Sequence, residues 1–223
     1  MLIVGYIVTA VAAYFLGSIP TGFLVARAKG IDIRTVGSGN MGATNVFRTL
    51  GKPAGILVLA VDVLKGFAAC LFLGWAAKQI FARSAGTSVT DNFSIIAGFC
   101  AILGHNYTCW LHFKGGKGIA TSLGVLFALF GYAALLVLGV FILVAAVSRY
   151  VSLASVIAAI WLPVMVAVLP HNGGQHYSGR LILVALLMGA LAVYKHKPNI
   201  QRLLKGTERR IGEKTPPPPE DAS

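Results

Sequence analysis

The sequence predicts an all-α polytopic membrane protein with seven transmembrane helices, its N-terminus outside and its C-terminus in the cytoplasm. Three observations lead there. Hydrophobic residues fill 57% of the 223 positions. Charged residues fill only 12%, against about 25% in soluble domains, and the mean hydropathy is +0.78. The apolar residues also gather in runs near the roughly 20 residues that a helix needs to cross about 30 Å of hydrocarbon. A surface this poor in charge excludes an ordinary soluble enzyme, a disordered chain and a collagen-like chain.

The first run, about 3–26, has no cationic leader region and reads as an uncleaved first span. The next two are about 54–77 and 92–111. The run 118–148 is ambiguous. As one helix of roughly 30 residues it would be about 45 Å long, too long to stand upright in a bilayer. Split near Gly131 and Tyr132 it makes two short helices of about 15 residues, which need local thinning or snorkelling flanks. The last runs are about 152–170 and 180–194.

Charge decides the split. With seven spans, Arg27, Lys29, Arg34, Arg48, Lys52, Lys114, Lys117, Arg149 and the cations from Lys195 to Lys214 lie inside, 15 of the 19. Lys78, Arg83 and Arg180 lie outside, and Lys65 lies within a span. One long fourth helix would carry Arg149 and the whole tail outside. The positive-inside rule therefore strongly prefers the split. The net charge of +12 is thus read as membrane orientation and affinity for anionic lipid, and no nucleic acid partner is expected. Residues 1–205 form the membrane domain, and 206–223, ending KTPPPPEDAS, form a flexible polar cytoplasmic tail. Cys70, Cys100 and Cys109 show no CxxC spacing and are expected to pack as small hydrophobes. His171 and His176 read as interfacial.

In this topology the polar residues collect on the cytoplasmic face. The first segment, VGSGNMGATNVFR (36–48), is dense in Gly, Ser, Thr and Asn. Its successive amides can form an anion-binding nest, and Arg48 can grip a phosphate with two nitrogens. GSGNMG matches G-x-G-x-x-G, but a membrane helix precedes it instead of a strand, so a dinucleotide site is rejected. The second, GHNYTCWLHFKGGKGIATS (104–122), puts Lys117 at a glycine-rich helix start, a phosphate-binding arrangement that is not a Walker A loop. The third, SRYVSLASV (148–156), places Ser152 and Ser155 on one helix face. The fourth, YKHKPNIQRLLKGTERR (194–210), sets His196 and Asn199 either side of Pro198. Asp62 and Lys65 are an i, i+3 pair inside a span, either functional or a packing ion pair.

These segments are rich in amides, hydroxyls and cations and poor in carboxylates. No carboxylate cluster suits a magnesium mechanism, no acid completes a Ser–His–Asp triad, and no H-x-x-x-x-D pair is present. Binding phosphate groups at a membrane surface fits, with the substrates supplying the charge. An organic-phosphate transporter or channel and a lipid-binding scaffold are the other classes. Absence of an internal repeat counts against the former, and the concentration of Gly, Ser, Thr and Asn against the latter.

GSGNMGATNVFR, GHNYTCWLHFKGGKGIATS, SRYVSLAS and YKHKPNIQRLLKGTE together resemble the motifs of the bacterial acyl-phosphate:glycerol-3-phosphate acyltransferases, over about Gly17 to Glu208. The resemblance implies a seven-helix enzyme of the bacterial inner membrane with its site on the cytoplasmic face. It implies transfer of a fatty acyl group from acyl phosphate to the 1-hydroxyl of glycerol 3-phosphate. The products are lysophosphatidic acid and phosphate, in the first acylation of phospholipid biosynthesis. The partners are these two substrates and membrane lipids, with no cofactor and no metal, and a monomer is expected. Carried over by motif, Ser38, Arg48, His105, Lys117 and Asn199 are the catalytic set. Gly39, Asn40, Thr44, Asn45, Gly115, Gly116, Gly118, Ser152, Ser155, His196 and Glu208 bind substrate. Thr108 stands where the family has proline, which bears on the rigidity of its loop. With no protein base evident, an oxygen of the acyl phosphate is expected to take the hydroxyl proton.

Overall fold

A computed structural model describes residues 1–82, 87–170 and 176–213, without the side chains of 87–91. Arg83, His171 and the tail from Lys214, with its four prolines, lie outside the described residues. The first apolar run is two helices, α1 (Leu2–Ser18) and α2 (Thr21–Arg27). They part at Ile19–Pro20, because Pro20 has no N–H to continue the helix. The short amphipathic α3 (Ala43–Leu50) follows. A continuous run comprises α4 (Lys52–Ala68), one π-helical turn (Ala69–Leu73) and α5 (Gly74–Phe81). Then come α6 (Thr87–Asn106), a 3₁₀ turn (Cys109–Leu111), α7 (Ile119–Leu129), α8 (Gly131–Ser148), α9 (Val151–Val168), α10 (Gly179–Lys195) and α11 (Lys197–Leu204).

The split of the long run falls where expected. Gly131 has φ +43°, a left-handed conformation that suits glycine, and Tyr177 donates a hydrogen bond to the Phe130 carbonyl at 2.5 Å. The halves are unequal, however: 11 residues in α7 and 18 in α8. The span expected over 92–111 is also shifted. Its helix ends at Asn106, because the chain turns back and the Gly115 and Gly116 N–H groups bond to the carbonyls of Asn106 and His105. The buried Thr108 hydroxyl donates to the Ser18 carbonyl at 2.5 Å, tying the loop to the end of α1.

By length and apolarity, four runs among the described residues can cross a bilayer: Leu2–Arg27, Lys52–Phe81, Gly131–Ser148 and Val151–Val168. The pair α10–α11, bent by 56°, makes a fifth if counted as one span. Large apolar side chains on several helices, such as Phe72, Ile80 and Val147, are exposed, as a lipid-facing surface requires. The main core joins Ile102 of α6, Val125 and Leu126 of α7, Phe130 just after it, Val137 of α8, Leu162 of α9 and Met188 of α10. A second core under the first loop packs Ala26, Ile33, Met41, Val46 and Val58. Cys70, Cys100 and Cys109 are free thiols. Helices α4 and α7 meet through small residues, as membrane helices do. A β-carbon at Gly124 would run into the Val63 carbonyl of α4.

The tail begins later than its composition suggests. Residues 207–211, read from the sequence as flexible, are bonded to the body. Glu208 contacts α9 and α11, and the Ile211 N–H donates to the Arg149 carbonyl at 2.7 Å. A buried carboxylate needs such partners, and finding them holds the chain in place.

Candidate active site

The four polar segments converge on one cavity of about 600 Å³. In the first, Asn45 is buried and organises its own loop. Its Oδ1 accepts the Ser38 N–H at 3.0 Å, and its Nδ2 donates to the Val36 carbonyl at 3.0 Å. The Asn40 side chain accepts the Gly42 N–H at 2.9 Å, just ahead of α3. Ser38, Asn40, Thr44 and Asn45 all line the cavity, as does Arg48, one turn further along α3. Arg48 also reaches the tail: its Nη2 donates to the Arg209 carbonyl at 3.1 Å and the Arg210 carbonyl at 3.4 Å.

In the second segment, His105, Lys117 and Gly118 line the cavity. Gly39, Gly115 and Gly116, expected to bind substrate, are not among the residues that line it. Gly115 and Gly116 direct their amides back to α6, so those amides are not free for an anion. Their position presses the loop onto α6, and a β-carbon at Gly116 would strike the His105 ring. Burial pulls the Lys117 ammonium down to about 8, opposed by the Glu208 carboxylate.

The third and fourth segments meet at Glu208. Its Oε1 accepts the Ser152 hydroxyl at 2.7 Å and Asn199 Nδ2 at 2.7 Å. Its Oε2 accepts Arg202 Nε at 2.7 Å. Burial pushes the carboxyl up, but these bonds and the Arg202 charge outweigh it and hold the group below the usual carboxylate range. Ser155 also lines the cavity, its hydroxyl donating to the Val151 carbonyl at 2.9 Å. His196 sits at the bend between α10 and α11. Its Nδ1 is 2.7 Å from the Ala192 carbonyl, so Nδ1 carries the proton and Nε2 is left as an acceptor.

Three residues outside the predicted site set contribute, of which Asp62 alone stands out in the sequence, as functional or as half of a packing ion pair. Asp62 lines the cavity. It pairs with Lys65 at 2.7 Å, accepts the Thr21 hydroxyl at 3.1 Å and lies 3.6 Å from His105 Nδ1. The last distance is beyond a hydrogen bond, yet it places a carboxylate beside a histidine where none was evident. Arg202 and Arg209 also line the cavity. The NIQR spacing, which puts Asn199 and Arg202 one turn apart, was the available signal for Arg202.

The cavity has two parts. The mouth holds Arg48, Lys117, Arg202, Arg209 and the hydroxyls. Behind it runs an apolar groove lined by Leu123 and Leu126 of α7, Phe141 of α8, Ala158 and Leu162 of α9 and Met188 of α10. Both carboxylates at the cavity, Asp62 and Glu208, are held in ion pairs. This arrangement can hold an anion at the mouth and a hydrocarbon chain behind it.

Residues 7–206 match the family model described as glycerol-3-phosphate acyltransferase. The chain is 45% identical to a glycerol-3-phosphate acyltransferase of Clostridioides difficile (strain 630) over 215 residues, 96% of this chain and 99% of that one. It is also 45% identical to one from Geotalea daltonii, over 91% of this chain and 95% of that one. Among solved structures it resembles PlsY (YgiH), an integral membrane glycerol 3-phosphate acyltransferase, in two forms. The glycerol 3-phosphate form gives a TM-score of 0.78 at 40% identity, covering 93% of this chain and 96% of that one. The lysophosphatidic acid form gives 0.76 at 39%, covering 93% and 95%.

Proposed function

The chain belongs to the glycerol-3-phosphate acyltransferase family of integral membrane enzymes, and on that premise we propose that its acyl donor is an acyl phosphate and its acceptor oxygen the 1-hydroxyl of glycerol 3-phosphate. The observation that carries this reading is the join of a cationic, hydroxyl-lined mouth to an apolar groove in one cavity. A phosphate head with an acyl tail fills both parts, and a second phosphate fits beside the first.

Ser38, Thr44, Arg48, Lys117 and Gly118 hold phosphate oxygens and donate to the oxyanion that develops on the acyl carbonyl. His196 Nε2, Asn199 and Ser152 orient glycerol 3-phosphate, with Glu208 fixing the last two. Asn40, Asn45, Gly39, Gly115, Gly116 and Ser155 shape the loops and helix around these groups. The 1-hydroxyl oxygen attacks the acyl carbon, the bond from that carbon to the phosphate oxygen breaks, and the proton passes to the departing phosphate. Orientation of two bound substrates is the main source of rate. Engagement of Asp62 and Glu208 in ion pairs supports the substrate as base. His105, beside Asp62, is the alternative within the protein. His105→Ala therefore keeps measurable turnover, whereas complete loss with both substrates still binding would make His105 the base.

In the same reading the chain crosses the bacterial inner membrane seven times, with α7 as a short crossing that thins the bilayer locally. Its N-terminus is outside, its C-terminus is in the cytoplasm, and the mouth opens to the cytoplasm. The clustering of Arg48, Lys117, Arg202 and Arg209 at one end of the helices supports this orientation.

Purified protein given a long-chain acyl phosphate and labelled glycerol 3-phosphate forms labelled lysophosphatidic acid. No product from folded protein overturns the reading. Lys117 also sets a pH dependence. With its ammonium pulled down to about 8, it is charged below that pH and neutral above it. kcat/KM accordingly falls as pH rises through about 8. Lys117→Arg, whose guanidinium stays charged beyond pH ~12, moves that limb upward. An unmoved limb assigns it to another group.

A further inference from the structure

Acyl transfer between acyl phosphate and glycerol 3-phosphate brings two phosphates into one cavity, each carrying roughly −1.5 to −2 charges at neutral pH. Among the described residues four cations line the cavity: Arg48, Lys117, Arg202 and Arg209. Arg202 is already paired with Glu208, and Arg48 uses Nη2 to hold the tail carbonyls. Lys117 and Arg209 have neither such a carbonyl anchor nor a carboxylate at ion-pair distance among the described residues.

Arg209 is distinctive among them. Its Nη1 is shut off from solvent and has no hydrogen-bond partner among the described residues. A guanidinium nitrogen left in that condition is costly, because it has lost water and gained nothing. The backbone around it is meanwhile fixed. The Arg209 carbonyl is gripped by Arg48 at 3.1 Å, and the preceding side chain, Glu208, is bonded to three partners. The Arg210 N–H donates to Glu213 at 3.0 Å, and the Ile211 N–H to Arg149 at 2.7 Å. An anchored backbone thus places Arg209 on the cavity wall, with one guanidinium nitrogen that has no partner among the described residues.

We propose that Arg209 is a further phosphate-binding residue, one that takes an oxygen of one of the two substrate phosphates. The proposal rests on the acyltransfer reading above. It makes the start of the tail part of the substrate site. Arg210, the next residue, is the internal control. Its side chain lies outside the cavity, with its guanidinium 5.3 Å from the Tyr150 ring centroid and Nε donating to the Tyr150 hydroxyl at 3.0 Å.

The test measures KM for each substrate separately, together with inhibition by inorganic phosphate. Arg209→Ala raises the KM of one phosphate substrate by about 10- to 100-fold, in the range of a charged hydrogen bond, and weakens phosphate inhibition in parallel. Which KM moves tells the donor phosphate from the acceptor phosphate. Arg209→Lys recovers part of the loss, since it restores the charge and not the fork, and Arg210→Ala leaves both KM values as in the unaltered protein. Unchanged KM values with unchanged phosphate inhibition overturn the proposal, as does a fall in kcat alone. If the unaltered protein makes no lysophosphatidic acid, the acyltransfer reading has failed, not the placement of Arg209. A measurement free of turnover is the rise in thermal midpoint caused by inorganic phosphate. Arg209→Gln shows a smaller rise than the unaltered protein, and equal rises overturn the proposal.

Discussion

Lys117→Ala lowers kcat/KM by on the order of 10²- to 10³-fold, the loss typical of removing one preorganised donor from a developing oxyanion or phosphate. The thermal midpoint in detergent stays within a few degrees of the unaltered protein. The reason lies in how the lysine is held. Its own loop is fixed by backbone bonds from Gly115 and Gly116 to the end of α6. The Lys117 side chain itself makes no hydrogen bond or ion pair among the described residues, so its removal takes away function and little structure. A variant that turns over normally would remove Lys117 from the site. A variant that loses activity only through unfolding would show the side chain to be structural.

Glu208→Ala gives the second large effect, by a different route. Removing the carboxylate strands Ser152, Asn199 and Arg202 together, because all three bond to it. Activity falls by about 10²-fold or more, since groups placed to orient a substrate lose their geometry. The strap from Thr207 to Glu213 also loosens. Trypsin, which cuts after Lys and Arg, then cleaves at Arg202, Lys205 or Arg209 faster than in the unaltered protein. Glu208→Gln keeps an acceptor oxygen for Asn199 or Arg202 and falls between the two. Normal activity together with normal resistance to trypsin in Glu208→Ala would refute the role given to this residue.

What was legible in the sequence follows from what each feature depends on. Spans are a matter of composition in a uniform solvent, so the apolar runs and the break at Gly131 could be read directly. The end of α6 depends on Gly115 and Gly116 finding carbonyls about ten residues back, and no local pattern announces that. The four motifs could be placed on one face by charge, and they do converge on one cavity. Their internal division of labour could not be read. Asn45 looks like a ligand in sequence, yet its amide holds the loop. Gly115 and Gly116 look like a phosphate loop, yet they brace α6. Asp62 looked like half of an isolated pair with Lys65, and only three-dimensional packing brings His105 to its other side. The tail was hidden for a related reason. Polar composition predicts solvation, but Glu208 is polar and bonded, to Asn199 and Arg202 of its own segment and to Ser152, 56 residues away.

The central claim is that this cavity moves an acyl group from phosphate to glycerol 3-phosphate by attack on the acyl carbon, with the departing phosphate taking the proton. Acyl phosphate carrying ¹⁸O in its bridging position tests this directly. The account predicts one inorganic phosphate per lysophosphatidic acid, with the label in the phosphate, and no product when acyl-CoA replaces the acyl phosphate. Label in released fatty acid, or equal turnover with acyl-CoA, would contradict it.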